Sequence, residues 1–113
     1  MISTNSILLY HAHLYYGPEN IGEAMKLASQ ASELFAIDVG HFHQRPVGPH
    51  PAWSCQLTVQ ADQFSQVIPW LALNRGSIDV FIHPETGEDL LDHTQYVMWL
   101  GKSYDLNVNM FQR

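Results

Sequence analysis

Hydrophobic and polar positions along the chain follow two periods, one of two residues and one close to 3.6. From Ile7 to Tyr16 the run ILLYHAHLYY places Leu8, Tyr10, Ala12 and Leu14 on one face and Leu9, His11, His13 and Tyr15 on the other. That is a strand, closed by Gly17-Pro18. From Glu19 to Phe35, apolar residues fall at Ile21, Met25, Leu27, Ala28, Ala31, Leu34 and Phe35. Their spacing predicts a helix, with Pro18 and Glu19 at its start. Alternation returns over Ala36–His43, with Ile37, Val39, His41 and His43 in phase, and predicts a second strand. The next segment, QRPVGPHPA at 44–52, holds three prolines in nine residues and must be a stiff, extended loop.

Trp53–Gln60 predicts a third strand with Cys55, Leu57 and Val59 on one face. A helix follows over Asp62–Asn74, capped by Asp62 and burying Phe64, Val67, Ile68 and Leu71. Pro69 should kink it or start a second helix. Ser77–Pro84 is a fourth strand, Ile78, Val80 and Ile82 inward and Asp79, Phe81 and His83 outward. After a turn at 84–87, Asp89–Leu100 suggests a short helix before the C-terminal tail.

The order β-α-β-β-α-β plus a C-terminal extension is the ferredoxin-like split pattern. It predicts an α+β fold: one antiparallel sheet, its first and third strands central, with two helices on one face. The opposite face, carrying His11, His13, His41, His43 and His83 with Tyr15 and Phe81, is expected to lie open. An open aromatic face invites dimerisation or a ligand.

Composition narrows the function classes. A chain of 113 residues that is 46% hydrophobic makes one globular domain, 1–113, rather than a disordered segment. Lone Cys55 forms no internal disulfide, pointing to a reducing, cytoplasmic setting, and excludes a cysteine-based zinc module. A net charge of -6 argues against nucleic acid as a partner, and no apolar run approaches the length of a membrane span. What stands out is seven histidines against five lysines and arginines.

Four of the seven form two pairs, His11-Ala12-His13 and His41-Phe42-His43. On a strand, residues two apart point the same way and lie roughly 6.6 Å from one another, so their imidazoles can converge on one ion. His50 sits in the proline-stiffened loop and His83 ends the fourth strand; both can reach the same region. His41 reads as a surface residue. Imidazole suits zinc, iron and copper alike, and the pattern leaves open a three- or four-histidine site or two histidines with Asp79 or Asp92. Histidine acting as a general base is a further reading. Arg75 closes the second helix and is also a candidate partner for a substrate carboxylate.

YHAHLYY at 10–16, HFHQRPVGPHP at 41–51, WLALNRGSIDVFIHPETG at 70–87 and DHTQYVMWLG at 92–101 together resemble the DOPA 4,5-dioxygenase family of small fungal and bacterial proteins. The resemblance runs from about Tyr10 to Gly101. It implies a ferredoxin-like fold, a homodimer, and Fe(II)-dependent extradiol cleavage of a catechol such as L-DOPA by dioxygen, with zinc as an alternative occupant after purification. The histidines matching the family pattern are His11, His13, His43, His50, His83 and His93, while His41 departs from it. On this chemistry His11, His13, His43 and His83 are the expected metal ligands, and His50 or His93 the expected base. Arg75, Arg45 and Tyr15 are the expected substrate contacts. The alternative is a dimer that binds a metal or a small aromatic ligand without turnover.

Overall fold

The computed structural model describes residues 1–112. Its main elements are β1 (Leu9–Tyr16), α1 (Ile21–Phe35), β2 (Asp38–Val39), β3 (Trp53–Gln60), α2 (Phe64–Asn74), β4 (Asp79–Glu85), α3 (Asp89–Asp92) and β5 (Met98–Leu100). The strands form one sheet in the order β2-β3-β1-β4-β5, every neighbouring pair antiparallel. The first four strands stand in the ferredoxin-like order, and β5 extends it on the β4 edge.

Strict alternation on β1, β3 and β4 builds the core. Ala12, Leu14, Cys55, Leu57, Val59, Val80 and Ile82 pack against Ala24, Leu27, Ala28 and Ala31 of α1 and Val67 and Leu71 of α2. The expected stripe of α1 is rotated towards its small residues: Ala24 is buried, whereas Met25 and Leu34 are 50% and 62% exposed. The alanines bring the helix close to the sheet, leaving no room beneath it for those longer chains.

Four local expectations are corrected. Asp62 does not cap α2; it lies in a 3₁₀ turn, Ala61–Gln63, where the side chains of Gln60 and Gln63 satisfy each other's backbone N–H. Pro69 does not start another helix: α2 runs through it from Phe64 to Asn74, with Pro69 and Ser65 both on the exposed side, where the carbonyl its ring leaves unpaired is open to solvent. The second strand is two residues long rather than eight. Beyond it Gly40 and His43 still donate to the Gln56 and Ser54 carbonyls, at 2.8 and 3.0 Å, but the Tyr16 hydroxyl takes up the His43 carbonyl at 2.9 Å. The helix expected within Asp89–Leu100 is the single turn α3, and Met98–Leu100 is a strand: Met98 and Leu100 pack on the core while Trp99 faces the other way.

The largest difference concerns the second face of the sheet, which is covered over β1 and β4. Phe81 and His83 are 0% and 1% exposed, and Tyr15 is 2% exposed. Two segments cover them: loop 44–52 brings His50 over Tyr15 and His13, and residues 93–111, irregular apart from β5 and a short 3₁₀ turn, bring His93, Trp99, Tyr104 and Phe111 across the β4 side. The segments meet where the Asn107 N–H donates to the Pro49 carbonyl at 2.9 Å.

Candidate metal centre and adjoining cavity

The register of β1 against β4 places His11 directly opposite His83. His13 lies two residues along β1 on the same face, so the three imidazoles are neighbours by backbone geometry alone. One ring nitrogen from each of His11, His13 and His83 lies within 4.8 Å of the other two. The Nε2 atoms of His13 and His83 stand 3.1 Å apart. Two nitrogens bound at right angles to one ion at about 2.1 Å would be about 3 Å apart, so the pair is spaced as adjacent ligands are.

On two of the rings the remaining nitrogen is fixed by its surroundings. A carbonyl can only accept, so His83 Nδ1 carries the proton it gives to the Pro84 carbonyl at 3.0 Å. Its Nε2 is therefore left with a lone pair. His11 Nδ1 lies 3.1 Å from Glu85 Oε1, a carboxylate that favours the proton on that nitrogen and frees the other.

Burial keeps these rings neutral, the form that ligates a metal. It pushes the His83 pKa down to about 3. It holds His13 well below the ordinary histidine value, reinforced by His50 and His83 nearby. His11 is lowered by burial and by His93. Three neutral imidazoles, two of them with anchored outer nitrogens, fit a borderline divalent ion such as iron or zinc.

His43 stands apart from this trio. It follows β2, with β3 between it and β1, and two strand spacings place it about 10 Å away in the plane of the sheet. Instead it lines a cavity of about 350 Å³ together with His13, His41, His50, Ser54 and Gln56, a volume at the lower end for small-molecule sites. His41, read from the sequence as a surface residue, is exposed yet forms part of this wall.

His50 and His93 pack against different members of the trio. The His50 ring centre is 4.2 Å from that of His13, and the His93 ring centre is 4.2 Å from that of His83. His93 Nδ1–H donates to the Asp89 carbonyl at 2.7 Å, and its ring stacks on Phe111. Burial pushes the His50 pKa down to about 4, and its Nδ1 lies 2.7 Å from the Tyr15 hydroxyl.

The expected substrate contacts are placed elsewhere. Arg75 donates to the Ile78 carbonyl at 3.1 Å and lies 3.8 Å from Asp79, bracing the entry to β4. Arg45 is exposed in loop 44–52 and does not line the cavity that this loop helps enclose. Tyr15 is buried behind His50 and does not line it either. Asp79 is engaged by the Lys102 N–H and the Tyr104 hydroxyl, at 2.9 and 2.8 Å. Asp92 is buried and accepts from the Thr86 N–H and hydroxyl, at 2.9 and 2.7 Å, which pins the turn after β4.

Three contributors escaped the sequence reading. Glu85 was legible in principle, since it lies two residues beyond His83 on the same strand face. The covering aromatics Tyr104 and Phe111 lie in a segment without periodicity and offered no such signal.

A ferredoxin-like sheet with three histidines gathered beneath a loop-built cover defines a small α+β protein with a candidate metal centre beside a cavity. Comparison with known proteins narrows this. The model of the Dopa 4,5-dioxygenase family matches residues 10–110, and the chain belongs to that family. It is 32% identical to DOPA 4,5-dioxygenase of Amanita muscaria over an alignment of 108 positions, covering 88% of this chain and 47% of that protein. It is 30% identical, over an alignment of 117 positions, to an uncharacterized 21.2 kDa protein of Botryotinia fuckeliana, with 92% of this chain and 63% of that one covered. The chain thus spans about half to two thirds of the length of these relatives. A crystal structure from Nostoc punctiforme, of a protein proposed to be a dioxygenase, superposes with a TM-score of 0.94 at 35% identity over 98% of this chain and 96% of that one.

Proposed function

We propose that this protein is a ring-cleaving dioxygenase acting on L-DOPA or a related catechol, with Fe(II) held by His11, His13 and His83. The observation that carries this reading is the trio of neutral imidazoles, one of them also lining a cavity of about 350 Å³, in a chain of this family. Fe(II), when bound there, supplies a Lewis-acid centre for the diol and for dioxygen. In extradiol cleavage the ring carbon–carbon bond beside the diol breaks and both oxygen atoms enter the product. Four electrons pass from catechol to dioxygen, so the balance needs no external reductant.

The chain's own groups orient the substrate and move its protons. With Nδ1–H committed to Asp89, His93 presents a lone pair at Nε2 beside His83, outside the wall of the cavity next to His13, and is the base that takes a proton from a catechol held at the metal. His43, Ser54 and Gln56 offer polar contacts within the cavity wall. The aromatic cover of Phe81, Trp99 and Phe111 limits water beside the histidines.

Oxygen uptake by the Fe(II)-loaded protein, measured over a panel of DOPA, caffeate, protocatechuate and simple catechols, tests this reading. A ring-opened yellow product with one dioxygen consumed per catechol is expected. Stoichiometric binding of metal and catechol without oxygen uptake would replace it with a binding protein.

A further inference from the structure

The Tyr15–His50 pair determines which way His50 can act. The Tyr15 side chain is buried, and the hydrogen bond of its hydroxyl among the described residues runs to His50 Nδ1 at 2.7 Å. A phenol is a donor at neutral pH, and among the described residues no second acceptor lies within hydrogen-bond reach of this hydroxyl, so donation to His50 is what leaves its buried hydrogen paired. The hydroxyl hydrogen therefore goes to Nδ1, and the proton of a neutral His50 ring sits on Nε2. His50 lines the cavity beside His13, and Nε2 is the nitrogen that Tyr15 leaves free.

We propose that Tyr15 locks His50 in the Nε2–H tautomer, so that His50 faces the cavity as a hydrogen-bond donor to an anionic oxygen of the substrate, with Tyr15 as its positioning residue. The two flanking histidines then have opposite polarity. His93, anchored through Nδ1–H, offers a lone pair, whereas His50, anchored at the lone pair of Nδ1, offers an N–H. One takes a proton and the other stabilises the negative charge that results. The tautomer is a property of the folded chain alone. Its use on a catechol oxygen rests on the dioxygenase reading above.

Three measurements test this together. In zinc-loaded protein labelled with ¹⁵N-histidine, long-range proton–nitrogen correlation should show His50 with protonated Nε2 and bare Nδ1, its signals assigned by their loss in His50→Gln. Tyr15→Phe, which removes only the hydroxyl, should give mixed tautomers at unchanged zinc stoichiometry. A protonated Nδ1 in the parent protein, or the same single tautomer in Tyr15→Phe, overturns the lock.

In Fe(II)-loaded protein turning over a catechol, His50→Leu should lower kcat about 100-fold, as loss of a charge-stabilising donor does. His50→Gln, whose amide still donates but cannot accept a proton, should recover at least about tenfold of that loss. Equal failure of both variants overturns the donor role. If the parent protein turns over no catechol at all, the dioxygenase reading fails and the spectra still decide the tautomer.

Discussion

The two faces of the central sheet are built from the same three long strands by alternation, yet they are held together by different physics. The helix face is aliphatic: Leu14, Leu57, Val59, Val80 and Ile82 meet the alanines of α1, and nothing there titrates near neutral pH. The histidine face is equally dry at Tyr15, Phe81 and His83, but its cover is two irregular segments fastened by a few hydrogen bonds and ring contacts. Burial on the first face supplies stability. On the second it keeps imidazoles neutral and their lone pairs available, at the cost of setting polar rings against one another. The faces should accordingly respond to different perturbations.

The largest effect is expected from Leu57→Ala, which empties a fully buried site on the helix face and should cost about 2–5 kcal/mol, read from denaturant unfolding. Metal affinity in the fraction that remains folded should be nearly unchanged. The converse substitution, His83→Ala, should weaken zinc or iron binding by more than about 100-fold, beyond the range of changes to groups behind a ligand. Equilibrium dialysis measures it, and retention of stoichiometric metal would remove His83 from the ligand set. Glu85→Gln, behind His11, should fall within about 10- to 100-fold in the same assay.

Acid separates the faces most gently. His83 and His50 have folded values of about 3 and 4, far below that of an unfolded histidine. Below about pH 6.5 the unfolded chain therefore takes up protons that the folded one refuses. The metal-free protein should lose stability steadily as pH falls from 6.5 towards 4 and gain nothing above 7. Denaturation midpoints at pH 7 and pH 5 check this, and a pH-independent midpoint would mean that the rings are not held neutral.

The fold was legible where alternation was strict. β1, β3 and β4 and the faces of Ala12, Leu57 and Val80 follow from period-two patterns, because a one-residue slip would bury the polar set. α1 was legible as a helix but not in its rotation, which depends on small alanines approaching the sheet. The same alternation put His11, His13 and His83 on one face, and only the antiparallel register set His11 against His83. It could not show that His43, in phase on an expected long strand, lies beyond β3. Nor could it show that the second face is covered. The cover consists of a proline-rich loop and an aperiodic tail whose positions depend on long-range contacts such as Asn107 with Pro49.

The stacking of Phe111 on His93 has a practical bearing on how the protein is handled. A polyhistidine tag placed shortly after Phe111 would hold six further imidazoles close in sequence to a ring that packs on His93, itself packed on His83. Such a tag would compete for the ion whose stoichiometry is to be measured, and would lend apparent metal affinity to variants that have lost their own. Metal analysis belongs on protein tagged at the other end and cleaved, or carrying no histidine tag.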